Sequence, residues 1–328
     1  MAYSEAVIRR ARRRLAEAKD RREAEYAGQL AEAYEKFPRL RQIDRQLRRT
    51  AAEAVCTSLS RGSDPAAAID ALKEKSLRLQ QERKALLDAA EKEGVTVNDA
   101  PVCPLCGGSG YVGAKMCSCL QELCRQEQNR ELTALFVTGQ ECFENFSLDY
   151  YSDAYDENWG ASARQLMRCN LNYCKKYAAA FGEKSGNLLF VGATGLGKTF
   201  LSACIARQVA DAGFWVVYET AGAMFADFEA VKFGGDEDGR TRKYLDCDLL
   251  IVDDLGTEMK TQFTISALYS VVNSRLTAGK STIISTNLFP ESLEQTYSPQ
   301  IASRLLGSYE LLQFAGSDIR MQRLAQEK

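Results

Sequence analysis

Apolar positions change their rhythm twice along this chain. From Ser4 to Phe37 the residues are mostly Ala, Arg, Glu and Leu, with no internal Pro and only Gly28 as a weak point. That pattern predicts one long helix ended by Pro38. A second helix is predicted from Arg39 to Leu59. After Arg61-Gly62-Ser63, Asp64 as N-cap and Pro65 at the first helical position open a third, which runs to a stop at Gly94. Its Ile69, Leu72, Leu79, Leu86 and Leu87 form a narrow apolar stripe, so the three helices are expected to pack as an extended hairpin or small bundle.

Beyond Phe143 the rhythm is different. Asn187–Val191, Phe214–Tyr218, Leu249–Val252 and Ser281–Ser285 are short apolar or β-branched runs, as buried parallel strands require. Leu201, Cys204, Ile205 and Val209 follow helical spacing between the first two. Ile265, Leu268, Val271, Val272 and Leu276 do so between the last two. Strands alternating with helices predict βαβ units and a doubly wound parallel α/β sheet.

Composition narrows the classes. The chain has 328 residues, enough for two domains, with 45% hydrophobic and 26% charged residues, which excludes a disordered or collagenous chain. No apolar run approaches the roughly 18 residues of a membrane helix. Arg9, Arg10, Arg12, Arg13 and Arg14 are followed by no apolar stretch and do not read as a secretory signal, so the expectation is a cytoplasmic protein without membrane contact. The absence of histidine removes Ser-His-Asp triads, His general bases and His-ligated zinc. Net charge is only −2, although residues 1–50 carry 14 Lys+Arg against 8 Asp+Glu. The arginine run is either a solvated helix face or a surface for a partner or nucleic acid.

Five of the 11 cysteines fall between Cys103 and Cys124. Cys103-Pro104-Leu105-Cys106 and Cys117-Ser118-Cys119, joined by a Gly-rich turn, offer two close thiolate pairs, the donor set of a closed, structural zinc site. Cys124 is an alternative to Cys119 as fourth ligand. Such an ion would stabilise a segment too short to build a core.

The first strand runs directly into Gly192-Ala193-Thr194-Gly195-Leu196-Gly197-Lys198-Thr199, a full G-x-x-x-x-G-K-[ST] string followed by Phe200. Its glycines let backbone N–H groups wrap a triphosphate, Lys198 reaches the outer phosphates, and the Thr199 hydroxyl ligates magnesium. A nucleotide site of this kind needs an acidic partner, and Leu249–Val252 ends in Asp253-Asp254. Asp253 suits the metal and Asp254 the attacking water, while like charges side by side are costly without a cation. Asn287 follows the strand ending Ser285-Thr286, where a γ-phosphate and lytic water would lie; a turn residue is the competing reading.

With these motifs in order, residues from about 143 to 320 resemble the AAA+ ATPase domain of the DnaC/DnaI-type replicative helicase loaders and the related IstB transposition helpers. The resemblance is carried by Phe143-Glu144-Asn145-Phe146, the P-loop, Asp253 to Glu258, Ser285 to Leu288, Ser303-Arg304-Leu305-Leu306-Gly307 and Phe314 to Arg320. It implies an ATPase that works at subunit interfaces through self-association of this domain. Arg304 matches an arginine finger acting on a neighbour's γ-phosphate, and Arg320 a second arginine sensor beside bound nucleotide. Gln300 departs from relatives that carry another arginine before the finger. Only eight residues follow Arg320, so a core without a C-terminal lid is implied.

The resemblance also implies that single-stranded DNA is gripped by the region from Ala221 to Tyr244. There Phe225, Phe228, Lys232, Phe233, Arg240, Arg242 and Lys243 interleave aromatics with cations. An amphipathic helix with core phenylalanines fits the same pattern. The zinc module resembles that of DnaI-type loaders, where an N-terminal region docks the helicase. The expected organisation is a helical partner-binding region at 1–99, a zinc module with linker helix at 100–135 and an ATPase domain at 140–328. The function implied is loading of a hexameric replicative helicase onto single-stranded DNA. A transposase helper and a non-hydrolysing, nucleotide-bound adaptor are the alternatives.

Overall fold

The computed structural model describes residues 3–59, 66–135, 141–157, 159–234 and 240–326. Asp64 and Pro65 lie outside the described residues. The chain divides into two units, residues 12–120 and residues 1–11 together with 121–328.

Three long helices come first: α1 (Glu5–Lys36), α2 (Pro38–Leu59) and α3 (Ala66–Lys92). Pro38 both ends α1 and opens α2, since a missing N–H costs nothing in a first turn. Ala33, Leu40, Ala90 and Val95 are buried together, with Leu86 and Leu87 against them, so the stripe of α3 is a helix seam. Asp44 in this unit accepts from the Tyr34 hydroxyl at 2.6 Å and from Arg83 at 2.7 Å. α3 closes on Gly94, whose φ of 81° takes the left-handed cap, while Val95 N–H returns to the Ala90 carbonyl at 2.9 Å. The short antiparallel pair β1 (Tyr111–Val112) and β2 (Lys115–Met116) follows.

Much of the arginine run has partners of its own. Arg10 pairs with Glu127 and Glu131, Arg13 pairs with Glu17, and Arg12 stands 5.1 Å from the centroid of the Tyr111 ring.

In chain order the second unit comprises α4 (Ser118–Leu135), the antiparallel pair β3 (Tyr155–Asp156) and β4 (Ala161–Ser162), α5 (Ala163–Ala179), β5 (Asn187–Val191), α6 (Lys198–Asp211), β6 (Val216–Thr220), α7 (Ala221–Gly234), α8 (Arg242–Asp246), β7 (Leu249–Leu255), α9 (Gln262–Thr277), β8 (Ser281–Thr286), α10 (Pro290–Thr296), α11 (Pro299–Ser308), β9 (Tyr309–Gln313) and α12 (Ile319–Gln326). Five strands form one sheet in the order β6-β7-β8-β5-β9, parallel throughout. Period-two alternation sends Leu188, Phe190, Leu249 and Ile251 to a core shared with Met167, Leu171, Leu201 and Ile205 of α5 and α6. Leu189, Val191, Leu250 and Val252 face the opposite core, with Phe225, Leu268, Val272 and Ile301. The sheet is therefore covered by helices on both faces, as the alternating pattern predicts.

The strand expected at Leu249–Val252 runs on to Leu255, the short pairs β1–β2 and β3–β4 carry no strand pattern in the sequence, and two further details differ from the sequence reading. The strand expected at 214–218 begins at Val216, because Phe214 turns aside to meet Phe181 edge-on, with centroids 5.0 Å apart. β9 was not expected at all. It is an edge strand, so Glu310 can point to solvent and the apolar run shrinks to Leu311-Leu312. Among the described residues, no helix is long and apolar enough to cross a membrane.

Candidate nucleotide site and cysteine cluster

β5 ends at Val191 and α6 begins at Lys198, so the glycine-rich string fills the turn between strand and helix and aims the first N–H groups of α6 into the loop. Gly197 is the N-cap, with φ at 88°. A side chain there would also collide with Tyr151, whose buried hydroxyl donates to the Leu196 carbonyl at 3.0 Å. Gly195 faces a closer neighbour: a Cβ would fall 2.1 Å from an Asp318 carboxylate oxygen. Ile319 N–H donates to the Gly195 carbonyl at 2.9 Å, so the segment before α12 is laid directly on the loop. Leu196 is buried, Thr194 is exposed, and Gly192, Thr199 and Phe200 border the same turn. Phe200 lies 5.8 Å from the Phe146 ring, which itself stacks on Tyr151.

The Lys198 ammonium is buried and donates to the Gly192 and Ala193 carbonyls, both at 2.7 Å. Burial pulls its pKa below the usual lysine value; Asp254 and Asp253 oppose that, and the positive charge of Arg320 adds to it. Lys198 thus feels the charges of Asp254, Asp253 and Arg320.

Asp253 follows the parity of Leu249 and Ile251 and faces α6, at 3% exposure. Both of its oxygens are held. Tyr218 of β6 donates to one at 2.8 Å, and Ser285 of β8 donates to the other. Tyr218 also shares a 3.0 Å hydrogen bond with Ser202 of α6. Asp254 is exposed and adopts φ of 56°, the only left-handed non-glycine among the described residues, at an irregularity in the β7–β8 ladder between Val252 and Leu255. That conformation costs about 1 kcal/mol for an L residue. It is anchored by the Asp254 N–H, which donates to Ser285 Oγ at 2.9 Å. Partial burial and the charge of Asp253 raise the Asp254 pKa above the ordinary carboxylate value, with Lys198 and Arg320 opposing.

Asn287 stands just beyond β8, and its Oδ1 is buried with no hydrogen-bond partner. An orphaned amide oxygen costs on the order of 1–3 kcal/mol, which fits a group kept for a bound species better than a turn residue. Arg304, on α11, is engaged elsewhere. Its guanidinium donates to Asn273 at 3.0 Å and to the Tyr269 hydroxyl at 2.9 Å, and lies 4.6 Å from the Tyr269 ring centroid. Its partners belong to α9 and to the Gln300 carbonyl rather than to the P-loop. The exposed Arg320 opens α12, its N–H capped by Asp318 at 2.8 Å.

Tyr218, Ser202 and Asp318 were not singled out from the sequence. Asp318 had a usable signal, an N-cap residue directly after glycine and serine.

The candidate DNA segment divides. Phe225 is buried in the sheet core, and Phe228 packs against it while stacking on Tyr244 with centroids 5.8 Å apart. Lys243 pairs with Asp227 at 2.9 Å, and Lys232 lies 4.8 Å from the Phe263 ring centroid. Arg240 and Arg242 are exposed; the Phe233 side chain lies outside the described residues. Phe225 and Phe228 thus serve the core.

In the other unit the thiols of Cys103, Cys106, Cys117 and Cys119 all lie within 4.8 Å of one another. Cys103 and Cys117 sulfurs are 3.8 Å apart, and those of Cys106 and Cys119 3.4 Å. Tetrahedral zinc with Zn–S bonds of about 2.3 Å needs sulfurs about 3.8 Å apart, so the four thiols fit that ion. Cys124 is not one of the four. Burial works against ionisation of Cys106, but the Gly110 N–H at 3.3 Å and bonds from Cys119 and Gly108 outweigh it and bring the thiol to about 6.

Comparison with known proteins comes to the same half of the chain. Over 135 residues it is 30% identical to the chromosomal replication initiator protein DnaA of Campylobacter jejuni subsp. jejuni serotype O:2, spanning 40% of this chain and 30% of that protein. Over 144 residues it is 26% identical to the uncharacterized protein YdaV of Escherichia coli (strain K12), spanning 42% of this chain and 56% of that protein. The match therefore covers less than two thirds of either relative. Among solved structures, it is similar to the crystal structure of the DnaC helicase loader, with TM-score 0.44 and 20% identity over 53% of this chain and 98% of that one. The family of IstB-like ATP binding proteins matches residues 130–326, and the chain belongs to that family.

Proposed function

We propose that this chain is an ATPase that loads a hexameric replicative DNA helicase onto single-stranded DNA, with hydrolysis timing release. The observation that carries the ATPase part is the glycine-rich turn between β5 and α6, which buries the Lys198 ammonium against its own carbonyls beside the end of β7 that bears Asp253 and Asp254. Lys198, now hydrogen-bonded to two loop carbonyls, exchanges them for phosphate oxygens, a better partner for a desolvated ammonium. The N–H groups at the start of α6 bind the remaining phosphate charge.

The Thr199 hydroxyl and the Asp253 carboxylate are hard oxygen donors and suit magnesium, which supplies neutralisation of the phosphate charge. Asp254 accepts hydrogen bonds from the attacking water, and its raised pKa makes it a stronger base than an ordinary carboxylate. Asn287 offers its unsatisfied Oδ1 to the same water. Arg320 contacts nucleotide bound to its own subunit. Arg304, held by Tyr269 and Asn273, is presented to the neighbouring subunit's γ-phosphate.

The loader part rests on the family resemblance together with the Cys103, Cys106, Cys117, Cys119 cluster, which suits structural zinc. The zinc module and the N-terminal helices bind the helicase in this reading. A second reading, a helper of a DNA transposase, is favoured by the family's IstB-like description.

Pull-down with the replicative helicase and with a transposase separates the two. The loader reading expects stable association with the helicase, and exclusive association with the transposase would replace it. Mixing Arg304→Ala with Lys198→Ala subunits is expected to restore hydrolysis, because each sound site can meet a sound finger. No recovery at any ratio would remove action between subunits.

A further inference from the structure

Asp253 is gripped from both sides by groups that no nucleotide motif requires. In the sheet order, β7 lies between β6 and β8, and each neighbour contributes one buried hydroxyl: Tyr218 to one carboxylate oxygen at 2.8 Å, Ser285 to the other. Tyr218 is 7% exposed, and Ser285 and Ser202 are fully buried. The hydroxyl hydrogen of Ser285 goes to Asp253, while its oxygen accepts the Asp254 N–H at 2.9 Å. One side chain thus joins the two acidic residues, and it does so where Asp254 leaves the strand conformation with φ of 56°.

A carboxylate has about four acceptor positions, so two hydroxyl donors fix its rotation and leave lone pairs for a cation or its water. Were Asp253 only a buried charge needing satisfaction, any donors would serve. The arrangement is more specific, since the β6 donor is itself tied through Ser202 to α6, the helix that begins with Lys198 and Thr199.

We infer that Tyr218 and Ser285 are positioning residues for the magnesium-nucleotide site. They hold the Asp253 carboxylate in a metal-ready orientation, and Ser285 also sets Asp254 relative to it. The inference rests on the proposed role of Asp253 toward magnesium. It predicts an effect on magnesium dependence that loss of packing would not produce. Removing an outer hydrogen-bond partner of a metal-binding carboxylate typically costs about 10–100-fold in metal affinity or activity.

The experiment titrates Mg²⁺ against binding of a fluorescent ATP analogue to the full chain, with a parallel series in EDTA, for wild type, Tyr218→Phe, Ser285→Ala and Asp253→Asn. Both hydroxyl deletions are expected to leave metal-free binding within about twofold of wild type and to raise the half-saturating Mg²⁺ concentration about tenfold. Ser285→Ala, which also frees Asp254, is expected to lower kcat at saturating Mg²⁺ and nucleotide by more than Tyr218→Phe does. Either variant titrating like wild type removes that residue from the proposal, and both doing so overturns it. If Asp253→Asn also titrates like wild type, the assignment of magnesium to Asp253 has failed instead. Should Ser285→Ala not fold, Ser285→Cys, with its weaker donor, takes its place under the same criterion.

Discussion

Arg275 →Met offers a sharp test of how the sheet that carries the site is held together. The Arg275 guanidinium is 1% exposed and has no carboxylate among its hydrogen-bond partners. It donates instead to the Ser281 carbonyl at 2.6 Å, to Thr282 Oγ1 and the Tyr244 carbonyl at 2.9 Å, and to the Cys247 carbonyl at 3.1 Å. These acceptors come from the end of α8, the turn into β7 and the first residues of β8. One side chain therefore sets the start of both strands that later present Asp253 and Ser285. Methionine keeps most of the apolar stem and deletes the fork.

The variant leaves the Ser281, Tyr244 and Cys247 carbonyls and Thr282 Oγ1 without this donor, and a buried group left unsatisfied costs about 1–3 kcal/mol, so the four set a gross loss near 4–12 kcal/mol. Against this stands the desolvation cost of the buried guanidinium, several kcal/mol, which the variant no longer bears. The net loss is about 3–5 kcal/mol, a large share of a typical stability of about 5–15 kcal/mol. Arg275→Lys keeps a charge but not the planar fork, and about half that loss is expected. Urea unfolding read at Trp215, whose backbone exchanges hydrogen bonds with Asp248 at the start of β7, measures this directly. A loss below about 1 kcal/mol with an unchanged m-value would refute the staple.

Asp254→Asn is expected to abolish turnover yet raise thermal stability at neutral pH. A carboxyl whose folded pKa is raised gives stability present below its unfolded value near 3.8 and lost as pH rises through the folded value, so the gain over wild type should vanish in acid; equal melting temperatures at pH 7 would contradict this. Gly195→Ala brings a Cβ to 2.1 Å from the Asp318 carboxylate and should weaken nucleotide binding, with Asp318→Ala in the same chain recovering part of it; additive losses would show that the clash is not the cause. Prolonged chelation should release one zinc per chain and expose four additional reactive thiols, and Cys103→Ser, but not Cys124→Ser, should likewise lose the zinc and expose the remaining three; a chain without bound zinc would remove the metal from the cluster.

What the amino-acid order reveals of this site depends on how its parts are connected. The P-loop is legible because phosphate binding by consecutive N–H groups needs contiguous residues, and Asp253-Asp254 is legible because two acids at a strand end have no cheap structural explanation. Tyr218 and Ser285 are different. They reach Asp253 only because β7 lies between β6 and β8, an order not written along the chain. Asp318 reaches Gly195 through the same sheet, by way of β9, an edge strand too polar to announce itself. Phe225 and Phe228 are ambiguous in the sequence, since aromatics spaced for a helix face suit a core or a nucleobase, and the neighbouring Tyr244 and Asp227 decide for the core. Local chemistry thus names the residues proposed to touch nucleotide, while strand order supplies those proposed to aim them. For that reason the first test of the site's precision lies at Tyr218 and Ser285 rather than at the P-loop.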